Sequence, residues 1–183
     1  MHRPLNRDEA KTLVCRRLSN LVGTRWIGID GLGAAGKSRF AAEVASMLQG
    51  ARVVQVDDFA RPGLRGWERD RFLRQVVEPL LAGRPARYQR WDYVDDRGLD
   101  WVEIPVGVPV IVEGVSATDQ RLMVPWDVMI WLDVSQAERH KRILARDSEA
   151  QLQRWRSDWW PSEQAYEREQ RPQSRPGMLV VNG

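Results

Sequence analysis

The sequence has almost no cysteine. Its one thiol, Cys15, can form neither an internal disulfide nor a cysteine-based zinc cluster, so disulfide-stapled and zinc-stapled domains are excluded. Long apolar runs are missing as well, and nothing reads as a membrane span or as the apolar stretch of a signal peptide. The cytoplasm is therefore the expected location, with no membrane partner. Repeats and low-complexity tracts are absent. Charge of one sign is not in excess: 28 Lys and Arg face 25 Asp and Glu, a net charge of +3. That balance gives little support to a nucleic-acid partner, which is not expected, and it suits anionic small molecules. A length of 183 residues gives room for one hydrophobic core, and one domain is expected over residues 1–183. A homo-oligomer is left open.

Tryptophan, by contrast, is abundant. Nine of them (Trp26, Trp67, Trp91, Trp101, Trp126, Trp131, Trp155, Trp159 and Trp160) exceed what a core of this size requires, and some are expected to line a pocket or lid. The strongest chemical signal is Gly31-Leu32-Gly33-Ala34-Ala35-Gly36-Lys37-Ser38, a complete G-x-x-x-x-G-K-[ST] phosphate loop. Its glycines let backbone N–H groups curl around phosphate oxygens. Lys37 neutralises the outer phosphates and the Ser38 hydroxyl can ligate Mg²⁺. Trp26 to Ile29 reads as the strand entering the loop, and Arg39 to Gln49 as the helix whose positive N-terminus faces the anion. The nucleotide set is accordingly Gly31, Gly33, Ala34, Ala35, Gly36, Lys37, Ser38 and Arg39.

Elsewhere the pattern alternates. Asn6 caps an expected first helix carrying Ala10, Leu13, Val14, Leu18 and Leu21, closed by Gly23, with Cys15 as a structural thiol. Arg52 to Val56 reads as a strand that delivers Asp57-Asp58-Phe59 to its carboxyl end, where ligands bind in open parallel sheets. Glu68 to Leu81 reads as an amphipathic helix, and Arg84 to Glu103 as a hairpin or long loop able to lean over an acceptor. The apolar run from Pro109 to Val112 ends at Glu113, the Walker B position, where a carboxylate holds Mg²⁺ opposite the loop.

Asp127 to Leu132 gives the next strand. Ser135 then caps a basic helix on which Arg139, Arg142 and Arg146 share one face, suited to closing over a triphosphate. From Gln151 to Gln170 a further helix aligns Trp155, Trp159, Glu163 and Tyr166; the stripe reads as packing, with Glu163 least at ease in it. Gly177 to Val181 is the last strand, ending at Asn182-Gly183. Such alternation predicts an α/β fold with a parallel sheet covered on both faces.

Several of these pieces together resemble the uridine kinase-like branch of the P-loop small-molecule kinases, which is related also to phosphoribulokinase and bacterial pantothenate kinase. They are Gly28-Ile29-Asp30-Gly31 leading into the loop, Val56-Asp57-Asp58-Phe59, Trp91-Asp92-Tyr93, Val112-Glu113-Gly114, and Arg142 with Arg146-Asp147. The resemblance covers most of the chain. It implies a P-loop three-layer sandwich with about five parallel strands, helices on both faces and a helical lid, the lid and acceptor regions falling near 84–104 and 135–170. It further implies transfer of a phosphoryl group from ATP or GTP, with Mg²⁺, to a hydroxyl of a small molecule.

In that reading Lys37, Asp57, Arg142 and Arg146 carry the catalysis, with Asp57 as the base and Asp58 as the alternative. Ser38, Glu113 and Asp57 surround the metal. Asp57, Asp58, Phe59, Trp91, Asp92 and Tyr93 line the acceptor. Two departures bear on the acceptor: Ala60 replaces the usual aromatic, and the segment from Arg61 to Arg90 is short, so uridine itself is not favoured. The last strand also stops before the loop that commonly holds the adenine. A non-nucleoside acceptor (sugar, pantothenate-like alcohol or antibiotic) stays open, as does a nucleotide-sensing module with no acceptor at all.

Overall fold

In the computed structural model, residues 4–19, 22–64, 66–175 and 177–182 are described. The chain opens with α1 (Arg7–Leu18), β1 (Arg25–Asp30), α2 (Lys37–Ser46) and β2 (Arg52–Gln55). A 3₁₀ turn over Val56–Phe59 leads to α3 (Arg69–Phe72), a π turn (Leu73–Val77) and α4 (Glu78–Leu81), which form one continuous helix. A hairpin of β3 (Ala86–Asp92) and β4 (Arg97–Ile104) follows, then β5 (Pro109–Glu113) and β6 (Val128–Asp133). Next come α5 (Gln136–Arg146), α6 (Glu149–Arg154), a second π turn (Trp155–Trp159), α7 (Trp160–Gln170) and β7 (Met178–Asn182). Five strands pair in parallel in the order β2-β5-β1-β6-β7, and β3 pairs with β4 antiparallel as a separate ribbon.

Strand alternation divides the core in two. On β1, Ile27 and Ile29 point to one face, where Ile111, Ile130 and Leu132 join them beneath Val14 of α1 and Phe40 and Val44 of α2. Trp26 points to the other face, with Val54, Val110 and Val112, beneath Phe72 and Val76 and the inner end of the hairpin at Tyr88 and Ile104. A continuous apolar strand such as Val110-Ile111-Val112 serves both layers at once, which is why it does not alternate in sequence. Each such side chain, fully buried, stabilises by about 1.5–3 kcal/mol.

Local signals explain where helices begin. Asn6 and Glu9 form a reciprocal capping box on α1, Ser135 accepts from the Glu138 N–H on α5, and Ser148 pairs with Gln151 on α6. Both π turns lie just before a proline, Pro79 and Pro161. A proline inside a helix has no N–H and its ring crowds the carbonyl one turn back, so the preceding turn widens to accommodate it.

The boundaries differ from expectation in places. α1 ends at Leu18 with Ser19 as its C-cap, so Gly23 does not close it, and Leu21 lies outside the described residues, as does Gly183. The second helix begins inside the phosphate loop, at Lys37, and stops at Ser46. Val56 belongs to the 3₁₀ turn and Arg97 and Gly98 belong to β4. Among the described residues no helix is long and apolar enough to cross a membrane.

Candidate active site

β1, β2 and β5 lie side by side and point the same way, so the segments after them emerge at one edge of the sheet. The register places Glu113 beside Ile29 on one flank and beside Gln55 on the other. The phosphate loop, Asp57 and Glu113 therefore meet at that edge.

 Glu113 stands 56 residues after Asp57 and 82 after Gly31, and parallel pairing closes both gaps.

Side chains hold four of the loop's carbonyls. Lys37 Nζ donates to the Leu32 carbonyl (3.0 Å), Arg139 Nη1 to that of Gly33 (3.2 Å), Arg142 Nη1 to that of Ala34 (3.2 Å) and Arg7 Nη2 to that of Gly36 (3.2 Å). The Gly31, Gly33 and Ala35 N–H groups are taken by Asp30, Glu163 and the Leu32 carbonyl (2.7, 2.8 and 3.2 Å), and the remaining N–H groups of the loop can face an anion beside the positive end of α2. Gly36 caps α2 at φ +85°, a left-handed conformation that favours glycine. Arg39 is different: its side chain lies on the outer face of α2, paired with Glu43 (3.1 Å), and leaves the loop.

Glu113 is 4 % exposed. Burial pushes its carboxyl above the usual range, the Ser38 hydroxyl, the Lys37 charge and the Gln55 amide work against that rise, and the charge of Asp57 adds to it. Hence Glu113, Ser38, Lys37 and Asp57 share one electrostatic neighbourhood. A buried carboxylate with incomplete compensation beside a hydroxyl is a hard-oxygen donor set that fits Mg²⁺. Among the described residues no three His, Cys, Asp or Glu side chains gather into a cage. Ser38 and Glu113, with Asp57 nearby, would hold the ion, and phosphate and water oxygens would complete its shell.

Asp57 and Asp58 face different ways. Asp57 is exposed at the sheet edge, and its charge is felt by Arg146 as well as by Glu113. Asp58 is 7 % exposed and turned into the hairpin, accepting from Arg90 Nε (3.0 Å) and the Tyr88 hydroxyl (3.2 Å); burial pushes its carboxyl up. Phe59 is fully buried, stacked on Tyr88 at 5.1 Å, so it belongs to the core and not to an acceptor surface. Asp92 uses one oxygen to cap the hairpin turn, accepting from the Val94 and Asp95 N–H groups (2.9 and 3.2 Å). Trp91 carries the Arg61 guanidinium 3.4 Å above its ring, and Tyr93 meets Trp159 edge-on at 6.0 Å. Arg142 pairs with Glu138 (2.9 Å) besides holding the loop, while Arg146 forks onto Asp147, which also accepts from Trp155 Nε1 (2.9 Å).

Two solved structures superpose on nearly the whole chain. One, from Bacillus stearothermophilus and described as a possible uridine kinase, gives a TM-score of 0.72 at 18% identity, covering 96% of this chain and 98% of its own. The other, from Silicibacter sp. TM1040 and described as a candidate fructose transport system kinase, gives 0.74 at 19% identity, covering 97% and 98%. The fold is that of the P-loop kinases. No protein-family model and no curated protein matches the sequence.

Within this P-loop kinase fold, residues outside the motif complete the site. Asp30, fully buried at the end of β1, accepts from the Gly31, Ser116 and Thr118 N–H groups, the Thr118 hydroxyl (2.7 Å) and the Tyr166 hydroxyl (2.6 Å). Glu163 of α7 accepts from the Gly33 N–H (2.8 Å), and burial pushes its carboxyl up. Arg7 reaches the loop from α1. One signal in the sequence pointed this way: an acid at the end of a buried strand, and another within an aromatic stripe, each needs a partner.

Proposed function

We propose that the protein is a P-loop kinase that moves the γ-phosphoryl of ATP or GTP to a hydroxyl of a small molecule. The observation that carries this is the meeting of the phosphate loop with the exposed Asp57 carboxylate, beside Glu113 and Arg146. A nucleotide-sensing loop has no use for an exposed carboxylate placed there. In this reading Asp57 orients the acceptor hydroxyl and takes its proton as the loose transition state forms. Lys37 and the loop N–H groups bind the triphosphate. Arg146 faces the charge that spreads over the transferred group, and Arg142 supports the loop by holding the Ala34 carbonyl. Mg²⁺, held by Ser38 and Glu113, would neutralise the phosphate oxygens. The location that suits an ATP-consuming enzyme with one free thiol is the cytoplasm.

The acceptor would sit between Asp57, the hairpin tip and the helices after β6. A nucleoside and a sugar are both candidates, given how the two structural neighbours are described. One observation favours a polyol over a base: a face of Trp91 is covered by Arg61, and Tyr93 is engaged with Trp159. The test is a screen of hydroxyl compounds, nucleosides and sugars included, for stimulated release of ADP or GDP. Stimulation by a particular compound, with that compound recovered phosphorylated, is expected. Hydrolysis indifferent to every added compound would overturn the kinase reading in favour of a nucleotide switch.

A further inference from the structure

We propose that Glu163 and Arg139 are positioning residues of the phosphate loop: they fix the Gly33 peptide, and the loop's affinity for nucleotide depends on that fixation. The proposal rests on the reading of the loop as a nucleotide site, and it assigns a role to two residues outside the motif.

Gly33 is held on three sides. Its N–H donates to Glu163 Oε1 (2.8 Å), and its carbonyl accepts from Arg139 Nη1 (3.2 Å). The edge of the Trp155 ring lies so close to its α-carbon that any Cβ would overlap it. Arg139 Nη1 also donates to Glu163 Oε2 (3.3 Å), so the two side chains and the one peptide form a closed set. All of it is buried, with Glu163 at 5 %, Arg139 at 8 % and Trp155 at 8 % exposure.

A buried ion pair contributes little to stability by itself, since desolvation offsets most of the attraction. Here it does something else. A loop that binds phosphate must hold its peptides in one set orientation, and glycine is the residue freest to rotate away from it; the Gly33 N–H is itself taken by Glu163, so the clamp serves the loop's other N–H groups. Fixing Gly33 before the ligand arrives removes an ordering cost that binding would otherwise bear. The clamp comes from helices that begin more than a hundred residues downstream of the loop, 106 for Arg139 and 130 for Glu163. The π turn that runs into α7 carries Trp155 against Gly33 and Trp159 against Tyr93 at the hairpin tip, so the loop and the acceptor region rest on one support.

A matched pair of variants isolates the Gly33 contact. E163Q/R139M keeps an oxygen acceptor for the Gly33 N–H, E163A/R139M removes it, and neither leaves a buried arginine without its partner. Titration calorimetry with ADP and with ATP plus Mg²⁺ is run on both, on wild type and on K37A, with Tm recorded for each. The expected result is nucleotide affinity about tenfold weaker in E163A/R139M than in E163Q/R139M, the equivalent of one well-made hydrogen bond. Equal affinities in the two variants, with both folded, would overturn the clamp, and so would tighter binding in E163A/R139M, which would make Glu163 an internal competitor for the anion. If E163A/R139M does not fold, E163L/R139M, which removes the acceptor while filling its space, takes its place, and affinity equal to that of E163Q/R139M overturns the proposal. Wild type that binds neither nucleotide, or K37A that binds as wild type does, would instead sink the nucleotide reading and the clamp with it.

Discussion

Asp57 and Asp58 are adjacent in sequence and opposite in environment. Asp58 is spoken for by Arg90 and Tyr88, whereas Asp57 stands exposed near Glu113 and Arg146. In Asp58→Asn, the loss of an acceptor for Arg90 is balanced by the removal of a buried carboxyl whose charged form burial disfavours, so stability should change by only about 1 kcal/mol in urea unfolding. Acceptor-dependent turnover should stay within about tenfold of wild type. Gly33→Ala is a packing prediction: a methyl there meets the Trp155 ring, and overpacking of this kind costs about 1–3 kcal/mol in urea unfolding. Combining it with Trp155→Ala should restore part of that loss relative to Trp155→Ala alone.

At this scale the sequence made visible what is local. Gly31 to Ser38 could be read because its spacing encodes its own conformation, and Asp57 and Glu113 because each ends an apolar run. Phe59 could not be read as core, since its neighbours Tyr88 and Trp67 come from elements 29 and 8 residues away. Nor could Glu163 be read as a ligand of Gly33, because an acid on a helical stripe does not name its partner 130 residues away.

Among the elements, α7 is the one whose role changed most. Its stripe reads as packing in sequence, yet Glu163, Tyr166 and Gln170 each bond a different part of the site: the Gly33 N–H, the Asp30 carboxylate, and the Asp119 carboxylate (2.6 Å). Helical spacing of three and four residues puts them on one face, and only the tertiary fold sets what that face meets. Tyr166→Phe removes a donor to a buried carboxylate and should destabilise by about 1.5–3 kcal/mol in urea unfolding. An unchanged midpoint would mean that the Asp30 network does not couple α7 to the sheet. Arg175 donates to the Tyr166 hydroxyl (2.8 Å) and to the Thr118 carbonyl, so the segment before β7 belongs to the same network. Pro79 and Pro161 illustrate the limit of periodicity: both helices were legible through them, but the π turns that absorb them were not.

On the scale of the whole molecule, function and stability pull apart at Glu113. Burial raises its carboxyl, so the folded protein prefers it protonated. The stability it contributes is therefore fully present below the ordinary value of 4.5 and is lost as pH rises through its folded value. At pH 7 Glu113→Gln should stabilise the nucleotide-free protein by on the order of 1 kcal/mol, with the difference vanishing in acid, and should weaken Mg²⁺-dependent nucleotide binding. Thermal melts across pH check the first part and calorimetry with and without Mg²⁺ the second. Asp119 runs the opposite way. Burial pushes its carboxyl up, but the fork from Arg121, the Gln170 amide and the Arg69 charge overcome this and hold it well below the carboxylate range. Its contribution is present above 3.8 and is lost as pH falls through its folded value, so Asp119→Asn should flatten that acid limb of the stability curve.

The central claim is transfer of a phosphoryl group to an acceptor hydroxyl oriented by Asp57. It is tested most directly by acceptor-stimulated ADP release in wild type and Asp57→Asn, with nucleotide affinity measured on the same samples. The account predicts a fall in stimulated release of about 10²–10⁴-fold in the variant with ATP affinity nearly unchanged. Stimulated release at the wild-type rate in Asp57→Asn would contradict it.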